Sequence, residues 1–197
     1  MKRLAMFLII PVSCVVLKSA NKNFFPNLPI GEYKVYPRAI IQCKRLVEHV
    51  FEFNLYLNKI STNSSEVRGN FTFKKALDDS FQLKVNFAVK DSIGDWKDNY
   101  FFFQTRKACT SIKTICGNLS SMVLGSNSSY NGKDCPVPAG VYVSNGFDLT
   151  SFIDNANVPK QFFYGTYKIR IEFVDKKNNQ VGCIIFIVVF KRPWETE

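Results

Sequence analysis

The stretch "FQLKVNFAV", residues 81 to 89, sets Phe81, Leu83, Val85, Phe87 and Val89 against Gln82, Lys84 and Asn86. An apolar side chain at every second position is the period of a half-buried strand, because successive side chains leave the pleat on opposite faces. The pattern recurs. Between Val47 and Leu57, the residues Val47, Phe51, Phe53, Leu55 and Leu57 share one face, with His49 the single polar interruption. "NFTF" gives Phe71 and Phe73 the same spacing. "YKIRIEF" sets Tyr167, Ile169, Ile171 and Phe173 against Lys168, Arg170 and Glu172. "VGCIIFIVVF", residues 181 to 190, is apolar on both faces and predicts a central or doubly covered strand. "NYFFFQT" and "GVYV" add shorter strands, and "DKKNNQ" predicts a hairpin loop between the last two. Many short strands without long helices between them predict an all-β fold, an immunoglobulin-like sandwich or a cup.

One segment departs from that period. In "ACTSIKTICGNLSSMV", Cys109, Ile112, Ile115, Cys116, Leu119, Met122 and Val123 recur three and four apart, which lines one face of a short packed helix.

The chain begins with Lys2 and Arg3 and then an apolar run from Leu4 to Leu17. That is the pattern of a secretory signal peptide, assigned to residues 1–20 with cleavage near Ala20, and it is short for a membrane span. Residues 21–40 are expected to form an N-terminal arm and residues 41–193 a single domain, which 197 residues suit. A soluble, secreted protein is the expectation, extracellular or lysosomal. Export alters the reading of several residue types. Cys14 leaves with the leader, so Cys43, Cys109, Cys116, Cys135 and Cys183 remain, enough for two disulfides and one leftover thiol. Asn63, Asn70, Asn118 and Asn127 each open an Asn-x-Ser/Thr sequon and are the expected glycosylation sites. Loss of Lys2, Arg3 and Lys18 takes the formal charge from +10 to +7. For an exported chain this argues against nucleic acid and toward anionic headgroups or a solvated basic surface.

Catalytic chemistry finds little to work with. His49 is the one histidine and sits on an apolar strand face, so a hydrogen-bonded core residue is the simpler reading. No CxxC pair or His-rich cluster offers a metal site, and no cofactor is implied. Asp78 and Asp79 are adjacent, so their side chains diverge rather than converge on one bond. Nucleophile elbow and phosphate loop are both missing. An enzyme is not expected.

What the sequence has in excess is phenylalanine, nineteen residues of it. They allow a solid Phe-rich core, as in a sandwich that binds a protein partner. They equally allow two Phe-lined sheets splayed around a cavity, since stiff rings can border a space without filling it. The cavity reading makes Phe51, Phe53, Leu55, Phe71, Phe73, Phe87, Ile169 and Ile171 the ligand-lining set. It also gives a use to Phe162, Phe163 and Tyr164, three aromatics between Pro159 and Gly165 where a loop tip would ordinarily be polar.

Three segments carry a resemblance: "CPVPAGVY" from Cys135, "VPKQFFYGTYKIRIEF" from Val158, and "VGCIIFIVVF" around Cys183. Together they resemble the ganglioside activator proteins and the wider ML (MD-2-related lipid-recognition) domain, including secreted arthropod relatives, over roughly residues 43 to 192. The resemblance implies a β-cup that takes up lipid chains without chemistry of its own. It implies a mouth loop, here Phe162, Phe163 and Tyr164, in transient contact with a membrane surface. It also implies presentation of the lipid to a partner hydrolase or receptor. By the same resemblance Cys43 pairs with Cys183, and Cys116 is assigned to Cys135, leaving Cys109; a Cys109–Cys116 bridge is the competitor. The activators' loop tryptophan corresponds here to Gln161, so ganglioside specificity does not carry over.

Overall fold

The structure is a computed structural model that describes residues 28–43, 49–61, 64–117 and 135–195. The expected leader, Asn63, Asn118, Asn127 and the second half of the expected helix lie outside the described residues. Among the described residues ten strands and two short helices follow in chain order. They are β1 (Ile30–Glu32), β2 (Lys34–Gln42), β3 (Phe51–Ser61), β4 (Ser64–Phe73), β5 (Gln82–Lys90), β6 (Trp96–Thr105), α1 (Ala108–Cys116), β7 (Gly140–Asp148), α2 (Leu149–Asn155), β8 (Gln161–Phe163), β9 (Gly165–Val174) and β10 (Gln180–Lys191). A five-stranded sheet runs β2-β10-β9-β5-β6, a three-stranded sheet runs β3-β4-β7, and β1 pairs with β8 in a separate ribbon. All of these pairings are antiparallel.

The apolar run "VGCIIFIVVF" is central as read, hydrogen-bonded to β2 on one side and β9 on the other. The β9–β10 hairpin turns where the polar run "DKKNNQ" predicts it. Asp175 Oδ1 accepts the backbone N–H groups of Lys177 and Asn179, both at 2.8 Å, and Asn178 takes a positive φ of 65°. Asn tolerates that conformation better than most residues.

The two sheets meet hardest at one end. Phe51 is 0% exposed, with ring centroids 4.9 Å from Phe81 and 5.4 Å from both Phe73 and Phe173. Most of these contacts are edge to face, the arrangement favoured by the ring quadrupole. β10 can pass this cluster only because position 182 is glycine. A Cβ there would lie 2.8 Å from the Phe51 Cβ and 3.0 Å from its carbonyl oxygen.

Three expectations need correction. Residues 34–40 of the expected arm belong to the domain: they open β2, a full strand of the large sheet with Val35 buried, because its apolar residues complete the β10 edge. A second helix, α2, was hidden in "DLTSFIDN". Asp148 caps it, accepting from the N–H groups of Thr150 at 3.2 Å and Ser151 at 3.1 Å. Lys160 Nζ closes its other end by donating to the carbonyls of Asp154 and Ala156, both at 2.8 Å.

The third correction concerns cysteine. Cys43 joins Cys183 with Cα atoms 5.7 Å apart, but Cys135 joins Cys109 rather than Cys116, with Cα atoms 6.0 Å apart. Two backbone bonds between Leu77 and Val137, 2.8 and 2.9 Å, bring Cys135 beside the loop that carries Asp79. Asp79 in turn accepts the N–H of Thr110 at 2.9 Å and its hydroxyl at 2.5 Å, holding the first turn of α1 there. Those hydrogen bonds hold the Asp79 carboxyl below its ordinary value. Cys109 lies in that first turn. Cys116 is seven residues further along, about 10 Å of helix rise, beyond the span of a disulfide. Among the described residues Cys116 is the free thiol, and burial pushes its pKa up to about 11.

Peptide mapping without reduction is therefore expected to recover Cys109 linked to Cys135, with Cys116 alkylated only slowly at pH 8 and rapidly once the protein unfolds. Because the folded thiol holds its proton more tightly than an unfolded one, its contribution to stability is full below about pH 9. That contribution is lost as the pH rises through about 11. Phe51→Ala should lower stability by about 4 kcal/mol in denaturant titration.

Candidate functional site

The register of the large sheet places its apolar residues in rows across the inner face, since directly opposed residues share a side. Leu83 and Phe173 form the first row, beside Gly182. Phe103, Val85, Ile171 and Ile184 form the second, and Phe101, Phe87, Ile169 and Phe186 the third. Val89, Tyr167 and Val188 form the fourth. Burial along these rows is uneven. Leu83, Phe173, Tyr167 and Val188 are buried, as is Ile184. Val85, Phe87, Ile169, Ile171 and Phe186 are only half-buried, and on the edge strand Phe103 and Phe101 are 38% and 46% exposed. An apolar floor is thus open along its middle and shut at both ends.

The Phe51 cluster shuts one end. Phe162 shuts the other, its ring lying 5.4 Å from Phe190, 5.5 Å from Tyr167, 5.8 Å from Phe87 and 6.3 Å from Phe101. Tyr33 stacks on Phe190 at 4.8 Å, and its hydroxyl donates to the Pro159 carbonyl at 2.6 Å, which pins the chain leading into β8. The Tyr167 hydroxyl donates to the Phe163 carbonyl at 3.0 Å, and burial raises its pKa above the ordinary phenol value.

The expected lip is therefore not one surface. Residues 161–163 are a strand paired with β1, and strand alternation sends neighbours to opposite sides. Phe162 turns inward onto the floor. Phe163 turns outward and joins exposed Ile30, its cross-strand partner, and exposed Tyr100, whose ring is 6.1 Å away. Tyr164 is a clamp. Its hydroxyl donates to the Glu32 carbonyl at 3.0 Å, and the Arg192 guanidinium lies 4.6 Å over its ring.

The expected lining set divides likewise. Phe87, Ile169 and Ile171 lie on the open floor. Phe51 borders no space that a water could enter, and Phe53, Leu55, Phe71 and Phe73 are buried beside it, so these five are packed core. Phe101, Phe103 and Phe186 belong to the floor and were not assigned to it from sequence. Three consecutive phenylalanines have no readable parity, and β6 also carries a register shift opposite Phe87–Val89 and a positive φ of 57° at Asn99. A separate concavity of about 350 Å³ near the β9–β10 hairpin is bordered by Ser80, Asp175, Lys176, Lys177 and Asn179 with Phe81. Five of its six bordering residues are polar or charged, and none of them belongs to the open rows of the floor.

His49 is buried, with its Nε2 3.2 Å from Gln180 Nε2, as a core histidine should be. Among the described residues no group of three or more His, Cys, Asp or Glu could hold a metal. Nor is any helix among them long and apolar enough to cross a membrane.

Fold and floor together define a β-cup of the lipid-recognition class. The chain belongs to the ML domain family, whose model matches residues 40–190. Among solved structures it is similar to chicken MD-1 complexed with lipid IVa, at 12% identity and a TM-score of 0.34, covering 81% of this chain and 91% of that one. No curated protein matches.

If Phe162 is a plug and Phe163 a surface residue, their serine variants should separate cleanly. Phe162→Ser is expected to cost about 3 kcal/mol. Phe163→Ser should stay within about 1 kcal/mol, with thermal midpoints as the measurement.

Proposed function

We propose that this protein is a secreted lipid carrier that lays an acyl chain or similar apolar ligand along the floor between Phe103 and Phe186. The observation that carries the reading is the open middle of that floor. A soluble protein rarely leaves two phenylalanines of one continuous apolar face exposed on an edge strand, unless that face receives something. Ring after ring, and no charged side chain in the two open rows, suits a hydrocarbon tail rather than a headgroup. Burying a fifteen-carbon tail would contribute roughly 12 kcal/mol gross. Association and ordering costs remove several of those. Micromolar binding needs only about 8 kcal/mol.

Exposed Phe163, Ile30 and Tyr100 sit beside the Phe162 end and would make the transient contact with a bilayer during loading. Passing the lipid to a hydrolase or receptor fits the same design. In that design the protein itself is a carrier and performs no catalysis.

Organic extraction of the purified secreted protein, followed by mass spectrometry, should release a lipid. Phe101→Ser combined with Phe103→Ser should slow or weaken lipid uptake from vesicles at least tenfold while moving the thermal midpoint little, because both rings are already exposed. An extract without lipid, together with unchanged uptake in the folded double variant, would instead favour a solid sandwich that binds a protein partner.

A further inference from the structure

On the outer face of the small sheet, Asn70 is held in a hydrogen-bond chain. Gln42 Nε2 donates to Asn54 Oδ1 at 3.3 Å, and Asn54 Nδ2 donates to Asn70 Oδ1 at 3.1 Å. The Thr72 hydroxyl lies 3.5 Å from the same oxygen. The chain fixes which way the Asn70 amide faces: its oxygen turns toward β3, and its nitrogen has no acceptor among the described residues. Buried Phe71 between them places Asn70 and Thr72 together on the outside. Across the strand pair, Asn70 lies opposite Val143 and Thr72 opposite Val141. Those two valines are 56% and 63% exposed, an apolar pair on an edge strand. Cross-strand neighbours stand only about 5 Å apart at Cβ, so a sugar on Asn70 would begin beside Val143.

We infer that Asn70 carries an N-linked glycan whose first sugars lie against Val141 and Val143 and screen them from water. The inference rests on the export expected from the N-terminal sequence, and is independent of what fills the cup. In the transfer, Asn70 Nδ2 bonds to the anomeric carbon of an oligosaccharide carried on a polyprenyl diphosphate. The bond from that carbon to the diphosphate oxygen breaks, the diphosphate leaves with the electron pair, and one amide proton is lost. The folded sheet accommodates the product because Asn70 uses its oxygen, not its nitrogen, to hold the network. The apolar faces of sugar rings can cover the valines as another strand would, while their hydroxyls stay in water.

The test uses the full chain secreted from a eukaryotic host. Enzymatic removal of glycans in heavy-oxygen water should convert Asn70 to a labelled aspartate, seen by peptide mass mapping. Thr72→Ala should abolish that label and Thr72→Ser should keep it. On a hydrophobic-interaction column Thr72→Ala, which loses the Asn70 sequon alone among the four, should be retained longer than Thr72→Ser, and Val141→Ser with Val143→Ser should erase that difference. Unmodified Asn70 in the secreted protein would overturn the inference. So would equal retention of the two Thr72 variants, or a difference that survives the valine substitutions. If the valine variant is not secreted, the Thr72 pair alone decides: retention must rise with loss of the Asn70 glycan.

Discussion

A mismatch in width governs this structure. Five strands face three, and at 4.7–4.9 Å per strand the larger sheet extends about 10 Å beyond what the smaller can cover. β3 packs across β2 and β10, so the deficit falls on β5 and β6. Apolar residues there have a core face but too little core. Everything distinctive about the protein follows from how the chain treats that surplus: phenylalanine along the floor, an inserted Phe162 at one end, and the Phe51 cluster at the other.

The closed end is built from contacts distant in sequence. Gly182 admits Phe51, the Leu77–Val137 bridge delivers Cys135, and Asp79 seats the helix that bears Cys109. Asn157 reaches the far end of the same helix, its N–H donating to Ile115 and its side chain to Thr114, both at 2.8 Å. The helix is therefore held at its start by a loop, since Lys107 there makes no side-chain capping bond, and at its end by Asn157 together with the Gly117 N–H donated to the Lys113 carbonyl. That arrangement fixes the packed end, and leaves the floor beyond it free of structural duty.

Strand identity was legible because both of its signals are local: β3, β5 and β9 could be read from period-2 alternation, and β10 from an unbroken apolar run of strand length. Partnership was not. Whether Phe51 packs or lines depends on Phe81 and Phe173 meeting it from other strands, and alternation assigns a face without saying what lies opposite. The aromatic triplet at 162–164 was read as one lip because Pro159 and Gly165 look like loop flanks, whereas pairing with Ile30–Glu32 imposes strand parity on it. The cysteine partner was missed for a related reason. The resemblance pointed to a cysteine on the helix, and only the position of Asp79 decides which turn of the helix Cys135 meets.

Among the described residues β6 is also an edge strand of the large sheet with no further partner, which gives its phenylalanines a second consequence. Unpaired edge strands rich in aromatics template pairing with other chains, and the usual defences are charge and irregularity. Here those defences sit in the first half of the strand, in Lys97, Asp98 and the left-handed Asn99, while residues 100–103 carry none. A hydrocarbon lying against Phe101 and Phe103 would cover the apolar side of that unguarded half. The cargo would then act as part of the protein's colloidal protection, and the empty cup would be the form with most tendency to self-associate.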